Sequence, residues 1–321
     1  MIYVLITLGL IIVFLLYRHF AKIYRIVDKP NVRSSHSHTT ISGGGIIFPM
    51  AAFIWFFASG FECILGVTGL FFIAAISFLD DLRDLHRYIR LSVQIVGVSL
   101  LFVELSFFET PWYFWVVGYI IMTGWLNAFN FMDGINGITS FYSIITLGTF
   151  LIISEEIRFV DRELLLILII SVLIFSFFNV RKRALAFAGD VGSISMAFLL
   201  GGIMLSLILK TETFEYILFF AVYAADSVFT ISHRLIRREN IFEAHRTHLY
   251  QYLSNEMGFS HITVSLIYAG IQFIINVIVI FLIYRGIMSF GLFVMATLFI
   301  SIVYLSVRVY VLKAASNRIA R

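Results

Sequence analysis

The sequence has few charged residues, one cysteine and three prolines. Only 13% of its 321 residues are charged, whereas 60% are hydrophobic. Soluble domains carry about 25% charged residues, so this composition excludes that class and predicts a polytopic membrane protein. Cys63 has no second cysteine with which to form an intrachain disulfide, and no Cys/His cluster typical of a zinc site occurs.

Long apolar runs alternate with short polar segments along the chain. A membrane helix needs roughly 20 apolar residues, which predicts about eleven transmembrane helices here, or ten if one run does not cross. No segment between the runs is long enough for a second domain. We therefore predict a single all-α membrane domain over residues 1–321, with its largest cytoplasmic loop at 233–260. The predicted spans are 1–20, 43–60, 62–79, 91–109, 112–128, 137–154, 163–179, 191–209, 213–232, 261–284 and 286–310.

The basic residues fall almost entirely on one side of these spans. If the N-terminus is outside, the inside segments hold 19 of the 23 Lys and Arg residues. This asymmetry marks the cytoplasmic side, so we expect an outside N-terminus and a cytoplasmic C-terminus. The first run has no basic residue before Arg18, and so it lacks the charged start of a cleaved signal peptide. The net charge of +4 reflects basic loops suited to lipid headgroups and does not suggest nucleic-acid binding.

A polar patch, NAFNFMDGING, occupies residues 127–137 between two apolar runs. Asn and Asp side chains bond to nearby backbone, and Gly accepts positive φ, so the pattern predicts a turn that breaks the helix. A plain turn between two membrane helices is one interpretation. A functional site containing Asn127, Asn130 and Asp133 is the other, and further polar segments favour it.

Two adjacent acids, Asp80 and Asp81, end the third apolar run. Carboxylates at a helix C-terminus face the unfavourable end of the dipole, and paired acids beside hydrocarbon raise each other's pKa. These costs favour metal coordination or proton abstraction over a solvated loop start. Arg83, Arg87 and Arg90 follow at spacings of four and three, which predicts that they share one helical face. They could bind phosphates, or lie at the membrane interface.

Asp190 lies between two glycines at the start of another run, in AFAGDVGS. It could cap that helix, or hold a divalent cation against a phosphate, which we favour. Gly44 and Gly45 belong to a glycine triplet before the second span. Their N–H groups could approach an anion closely, although such triplets also serve as hinges or helix-packing sites.

The ninth span contains an acid, Asp226, and an acid inside a membrane is a functional hypothesis by default. We expect its partner to be a basic residue on a neighbouring helix or in the following loop. That loop contains His245, Arg246 and His248, whose donors suit a diphosphate. The last two spans are apolar and carry no catalytic signal.

Acids, amides and cations thus gather on the predicted cytoplasmic face. Oxygen ligands without cysteine favour Mg²⁺ or Mn²⁺, and Mg²⁺ beside cationic side chains is typical of phosphoryl transfer. Such a site could join a soluble nucleotide substrate to a lipid phosphate. A transporter or flippase is the main alternative, but it would place its ionisable residues near the bilayer midplane. A purely structural subunit would leave the paired acids unexplained.

As an ordered set, the motifs resemble the polyprenyl-phosphate N-acetylhexosamine-1-phosphate transferase family, glycosyltransferase family 4. The resemblance implies a multi-pass enzyme of the bacterial inner membrane, and it is compatible with a homodimer. In the implied reaction, undecaprenyl phosphate attacks the β-phosphorus of a UDP-N-acetylhexosamine and UMP leaves. The matching stretches run from residue 28 to residue 251 and are DKPNVRSSH with SGGGI, DDLRDLHRYIRL, NAFNFMDGING, FAGDVGS, DSVF and HRTHLYQ.

The resemblance also implies roles for single residues. Asp190 matches the ligand of Mg²⁺, with Asn130 assisting it. Asp80 and Asp81 match an acidic pair that either binds metal or deprotonates the lipid phosphate. Asp133 matches the acid of the MDG motif in the same site.

Arg90 matches a basic residue that contacts the diphosphate, and His248 matches the first His of the motif in the last loop. Many members carry HxHH in that motif, whereas this chain has HLYQ over residues 248–251. The HRTHLYQ form is similar to a branch that initiates O-antigen or capsule chains, including members that use 6-deoxy-N-acetylhexosamines. This departure argues against a muramyl-pentapeptide substrate.

Overall fold

The computed structural model describes residues 2–30, 35, 38–240 and 246–319. Within these ranges the chain is mainly helical, and a helix lies on each of the eleven predicted apolar runs. One short helix, α10, was not predicted. The helices are α1 (Ile2–Ile23), α2 (Ile47–Ala58), α3 (Ile64–Leu82), α4 (Arg87–Glu104), α5 (Trp112–Met132), α6 (Ile138–Ile157), α7 (Arg162–Asn179), α8 (Gly189–Thr211), α9 (Ala221–Ile236), α10 (Leu249–Gln251), α11 (His261–Tyr284) and α12 (Phe290–Ile319).

Nine helical segments in the described ranges are long and apolar enough to cross a membrane. The prediction of an all-α polytopic membrane protein is therefore confirmed. The two other predicted spans correspond to α2 and α4. Helix α2 is short even with the 3₁₀ turn that precedes it, over Gly44–Ala58, and α4 carries polar residues such as Arg90 and Gln94 that lower its hydropathy. The count of eleven and the orientation stay predictions.

Helix α8 lies at the centre of the helix bundle. It packs against α2, α3, α5 and α6, and most of its side chains are buried. Small residues allow this close packing, because they let helix backbones approach one another. At the periphery, α1, α11 and α12 expose long apolar faces, as expected of helices in contact with lipid.

A small β structure, which the sequence did not predict, secures the start of α8. Strand β1 (Val27–Asp28) pairs antiparallel with β2 (Thr40–Ile41). Ile41 also forms a parallel bridge with Ala186, and its carbonyl accepts the Phe187 N–H at 2.8 Å. The polar segment before α2 is therefore hydrogen-bonded to the segment that leads into α8.

Candidate active site

The carboxylate of Asp81 caps the N-terminus of α8. Its two oxygens accept the N–H groups of Asp190 and Val191, each at 3.0 Å, and Ser42 Oγ donates a weaker bond at 3.3 Å. A carboxylate at a helix N-terminus satisfies free N–H groups and faces the favourable end of the dipole. Asp81 thus lies at the unfavourable end of α3 because it stabilises the beginning of α8. Asp190 does not provide this cap.

Asp80 and Asp190 both contact the guanidinium of Arg90. Arg90 Nη1 lies 2.5 Å from Asp80 Oδ2 and 3.4 Å from Asp190 Oδ2. Asp80 Oδ1 also accepts the Leu85 N–H at 2.7 Å, which fixes the turn between α3 and α4. Arg90 thereby joins two acids that are 110 positions apart in the sequence. One cation faces two carboxylates, so the group has an excess of negative charge.

The expectation that Arg83, Arg87 and Arg90 share one helical face is wrong. Arg83 lies just beyond the end of α3 with an extended backbone, whereas Arg87 begins α4. The turn between the two helices interrupts the spacing, so Arg83 does not belong to the face that carries Arg90.

The amides of the patch lie near the end of α5. Asn130 Oδ1 accepts a hydrogen bond from Ser193 Oγ at 2.8 Å, one turn of α8 beyond Asp190. Asn127 instead donates to Gln94 Oε1 at 3.1 Å and to the Thr123 carbonyl at 2.7 Å. Asn130 is therefore joined directly to the helix that carries Asp190, while Asn127 links α5 to α4.

Asp133 follows the last residue of α5 and accepts a hydrogen bond from the Thr139 hydroxyl. Burial raises the pKa of its carboxyl to about 7, and the nearby charge of Asp81 adds to the increase. Asp133 is thus able to exchange a proton near neutral pH.

The rest of the patch forms the turn between α5 and α6. The side chain of Asn136 donates to the Arg181 carbonyl at 2.8 Å, and the Gly137 N–H donates to Asn179 Oδ1 at 2.7 Å. Gly137 has φ +90°, a conformation that favours glycine. Asn179 also donates to the Ala186 carbonyl at 3.0 Å. Asn136 and Gly137 therefore form a turn between two helices, whereas the functional role of Asn127, Asn130 and Asp133 stays a prediction. Asn179, which connects the two loops, was not predicted.

The N–H groups of Gly44 and Gly45 are bonded within the protein. They donate to the carbonyls of Phe187 and Ala188 at 2.8 and 2.9 Å. A Cβ on Gly45 would lie 2.4 Å from the Cα of Gly192, so the residue is required for close backbone packing. The alternative of a helix-packing site describes these glycines, and their N–H groups do not serve as anion donors in this conformation.

Asp226 is fully buried and organises the loop after α9. His248 Nδ1 lies 3.1 Å from Asp226 Oδ1, the Leu249 N–H donates to the same oxygen at 3.1 Å, and the Tyr268 hydroxyl donates to Oδ2 at 2.6 Å. His248 is the basic partner that we expected in the following loop. Asp226 holds the beginning of α10 in place and, being buried under these contacts, is itself removed from the site.

Helix α12, for which the sequence indicated no catalytic role, also holds this loop in place. Arg308 donates to the Thr247 carbonyl at 3.0 Å, to Thr230 Oγ1 at 2.7 Å and to the Tyr304 hydroxyl at 2.9 Å. Tyr304 in turn donates to Asp226 at 3.0 Å. One feature of the sequence points to Arg308, because a basic residue within an apolar helix needs a polar partner.

Tyr250 connects the loop to the polar patch. Its hydroxyl donates to the Phe131 carbonyl at 2.8 Å, and its ring stacks on His248 at a centroid distance of 5.6 Å. A Cβ on Gly134 would lie 2.1 Å from the Tyr250 hydroxyl, so only glycine fits beside it. These contacts hold the loop against the end of α5, where the ring centroids of His248 and Phe131 are 6.4 Å apart. Arg246 forms an ion pair with Glu256 at 2.9 Å, and His245 lies outside the described residues.

The family model for glycosyl transferase family 4 matches residues 63–208. This range contains the α8 cap, the acids that contact Arg90, and the whole polar patch. Over this range, which is slightly less than half of the chain, the protein is similar to glycosyltransferase family 4. The loop that carries His248 lies beyond the matched range, but its contacts place it against the matched part of the chain.

The curated proteins that this chain resembles include a probable undecaprenyl-phosphate N-acetylglucosaminyl 1-phosphate transferase of Bacillus subtilis. It is 26% identical over 277 residues, 79% of this chain and 76% of the relative. The phospho-N-acetylmuramoyl-pentapeptide-transferase of Thermotoga maritima is 28% identical over 59% of this chain and 66% of its own length. That of Streptococcus suis is 30% identical over 51% of this chain and 58% of its own length.

Proposed function

We propose that this protein transfers N-acetylhexosamine-1-phosphate, or a 6-deoxy derivative, from a UDP-sugar to undecaprenyl phosphate. The observation that carries the proposal is the joint contact of Asp80 and Asp190 with Arg90 at one end of the membrane helices. The relatives named for the same chemistry support it. An oxygen of the lipid phosphate forms a bond to the β-phosphorus, the bond between that phosphorus and the UMP oxygen breaks, and UMP leaves.

The side chains divide this work according to their contacts. Arg90 is about one-third exposed, so its guanidinium can also contact a diphosphate. Both oxygens of Asp81 are occupied by N–H groups of α8, which makes it a positioning residue. Asp133, with its pKa of about 7, is suited to accept the proton of the lipid phosphate.

We propose that Mg²⁺ binds at Asp190 and Asp80, close to Asn130. In the described residues, no group of three or more His, Cys, Asp or Glu side chains could hold a metal ion. Mg²⁺ does not need such a group, because it is usually bound through one or two carboxylates together with substrate phosphates and water. The donors here are hard oxygens, which suits Mg²⁺, with Mn²⁺ as a substitute. The bound ion would neutralise charge on the diphosphate and the departing UMP.

We place the enzyme in the bacterial cytoplasmic membrane, with its site on the cytoplasmic face where UDP-sugars are available. The HLYQ sequence at 248–251 supports a role in initiating O-antigen, capsule or related envelope glycans. A transporter or flippase is less well supported, because Asp226, the acid inside a span, is occupied by the protein's own donors.

The test is release of UMP by purified protein with undecaprenyl phosphate and Mg²⁺. The donors are UDP-N-acetylglucosamine and UDP-linked 6-deoxy-N-acetylhexosamines, with UDP-N-acetylmuramoyl-pentapeptide as the contrasting donor. We expect turnover with one amino sugar and none with the pentapeptide. Absence of turnover with every donor, from folded protein, would favour the transporter.

A further inference from the structure

A cavity of about 410 Å³ lies far from the acidic residues of the site. Its lining includes Glu62 and Gly66 near the start of α3, whereas Asp80 and Asp81 lie at the end of the same helix. At 1.5 Å per residue, α3 separates the two places by about 25 Å. The cavity therefore belongs to the opposite end of the bundle, and the transfer reaction does not account for it.

The inner wall of the cavity is apolar. Leu70 of α3, Leu101 of α4 and Ile203 of α8 line it, and two glycines, Gly66 and Gly202, widen it because they have no side chains. Ligand pockets commonly have volumes of roughly 300–1,000 Å³ and mostly apolar walls. The size and the lining of this cavity suit a flexible hydrocarbon chain.

Two carboxylates in the wall are already engaged by the protein. Glu104 accepts the N–H groups of Leu65 and Gly66 at 2.7 and 3.2 Å. Asp161 accepts the indole N–H of Trp55 at 2.5 Å. These groups stabilise helix ends and side-chain positions, so they require no ligand.

The mouth of the cavity carries two exposed residues of opposite charge, Glu62 and Arg158. Neither side chain forms an ion pair with any residue that the structure describes. Next to Glu62, the side chains of Phe57, Phe61 and Ile64 are more than half exposed. Exposed apolar residues beside charged ones, at the end of a membrane helix, are typical of the boundary between hydrocarbon and headgroups.

We propose that this cavity binds an acyl chain of a zwitterionic glycerophospholipid. The phosphate of the headgroup contacts Arg158, and its ammonium group contacts Glu62. A soluble ligand would have to enter from a mouth bordered by lipid-facing side chains. An anionic lipid, whose headgroup has a phosphate but no ammonium group, would place a negative charge beside the carboxylate of Glu62 without a cation to balance it. The proposal does not depend on the transfer reaction.

The experiment measures lipid binding to the full chain by native mass spectrometry. Delipidated protein in detergent is titrated with dioleoyl phosphatidylethanolamine, and with dioleoyl phosphatidylglycerol as the anionic comparison. In Gly66→Leu, the new Cβ has ordinary contacts of 3.7 Å with Glu104 and Leu101, and the side chain fills the cavity. Gly124→Leu is the matched control, since nothing lies within 4 Å of a Cβ at Gly124.

We expect wild type and Gly124→Leu to retain about one tightly bound phosphatidylethanolamine, and Gly66→Leu to bind it at least tenfold more weakly. Arg158→Gln and Glu62→Gln, at exposed positions that preserve folding, should each weaken binding several-fold. Equal binding by wild type and Gly66→Leu would overturn the site. Equal binding of the anionic lipid would overturn the headgroup assignment.

Discussion

The carboxylate of Asp81 accepts the backbone N–H of Asp190 at 3.0 Å, which joins the end of α3 to the start of α8. The adjacent Asp80 instead contacts Arg90. Two neighbouring acids therefore have different functions: one holds the helix that carries Asp190, and the other shares a cation with the Asp190 side chain. The first predictions separate these functions.

Replacing Asp81 should reduce stability as well as turnover. Asp81→Ala removes both acceptors at the α8 N-terminus, and loss of a helix cap costs about 0.5–2 kcal/mol. Asp81→Asn retains one acceptor and should lose less. Thermal unfolding in detergent measures the effect, and Asp84→Asn, at an exposed position in the following turn, serves as the control. Equal melting temperatures for wild type and Asp81→Ala would contradict the capping role.

Asp190→Ala should abolish turnover while the protein stays folded, because the cap of α8 is on Asp81. We expect UMP release to fall at least a hundredfold and Mg²⁺ to lose its effect on the remaining rate. Size-exclusion chromatography and thermal unfolding check that the protein is intact. Turnover that survives in Asp190→Ala would refute the metal assignment but keep the enzyme.

Gly134→Ala should impair the site, since its Cβ would lie 2.1 Å from the Tyr250 hydroxyl. The clash would move the loop that carries His248, and we expect turnover to fall about tenfold or more. The double variant Gly134→Ala, Tyr250→Phe removes the clashing oxygen and should recover part of the activity. A double variant no better than Gly134→Ala would show that the contact does not explain the loss.

Arg308→Leu should weaken turnover although Arg308 lies far along the chain from the acids. The change removes the Arg308 hydrogen bonds to the Thr247 carbonyl and the Tyr304 hydroxyl, and we expect it to shift His248, the residue after Thr247. We expect UMP release to fall about tenfold, mostly through a higher KM for the UDP-sugar if the loop binds the diphosphate. Lys313→Gln, on an exposed part of the same helix, should behave as wild type. Similar kinetics for Arg308→Leu and Lys313→Gln would exclude this role.

Hydropathy predicted the helices well, because each membrane helix must satisfy its own backbone hydrogen bonds. Hydropathy could not decide whether α2 and α4 cross the membrane, because α2 is shorter than an ordinary span and α4 is more polar. The sequence indicated that Asp80 and Asp81 lie at the unfavourable C-terminal end of a helix dipole. It also indicated that the partner of Asp226 would be a basic residue nearby, and this partner is His248 in the following loop. It could not separate the two acids, since the N–H groups that Asp81 accepts come from residues more than a hundred positions later.

Other contacts could not be predicted from the sequence. Asn179 reads as an ordinary polar residue at a helix end, yet it joins two loops through Gly137 and Ala186. The glycines before α2 are equally consistent with anion binding and with packing. Only the position of Gly192 opposite Gly45 decides between them.

The contacts of Arg308 also set an order of events during synthesis. Helix α12 follows every other described element of the site in the chain, so it leaves the ribosome after the acids, the polar patch and the His248 loop have all been made. Until α12 inserts, Thr247 and Asp226 lack the Arg308 and Tyr304 donors. The nascent protein therefore contains its acids and polar patch before the His248 loop is held by α12, and we expect full activity only after this last helix has inserted.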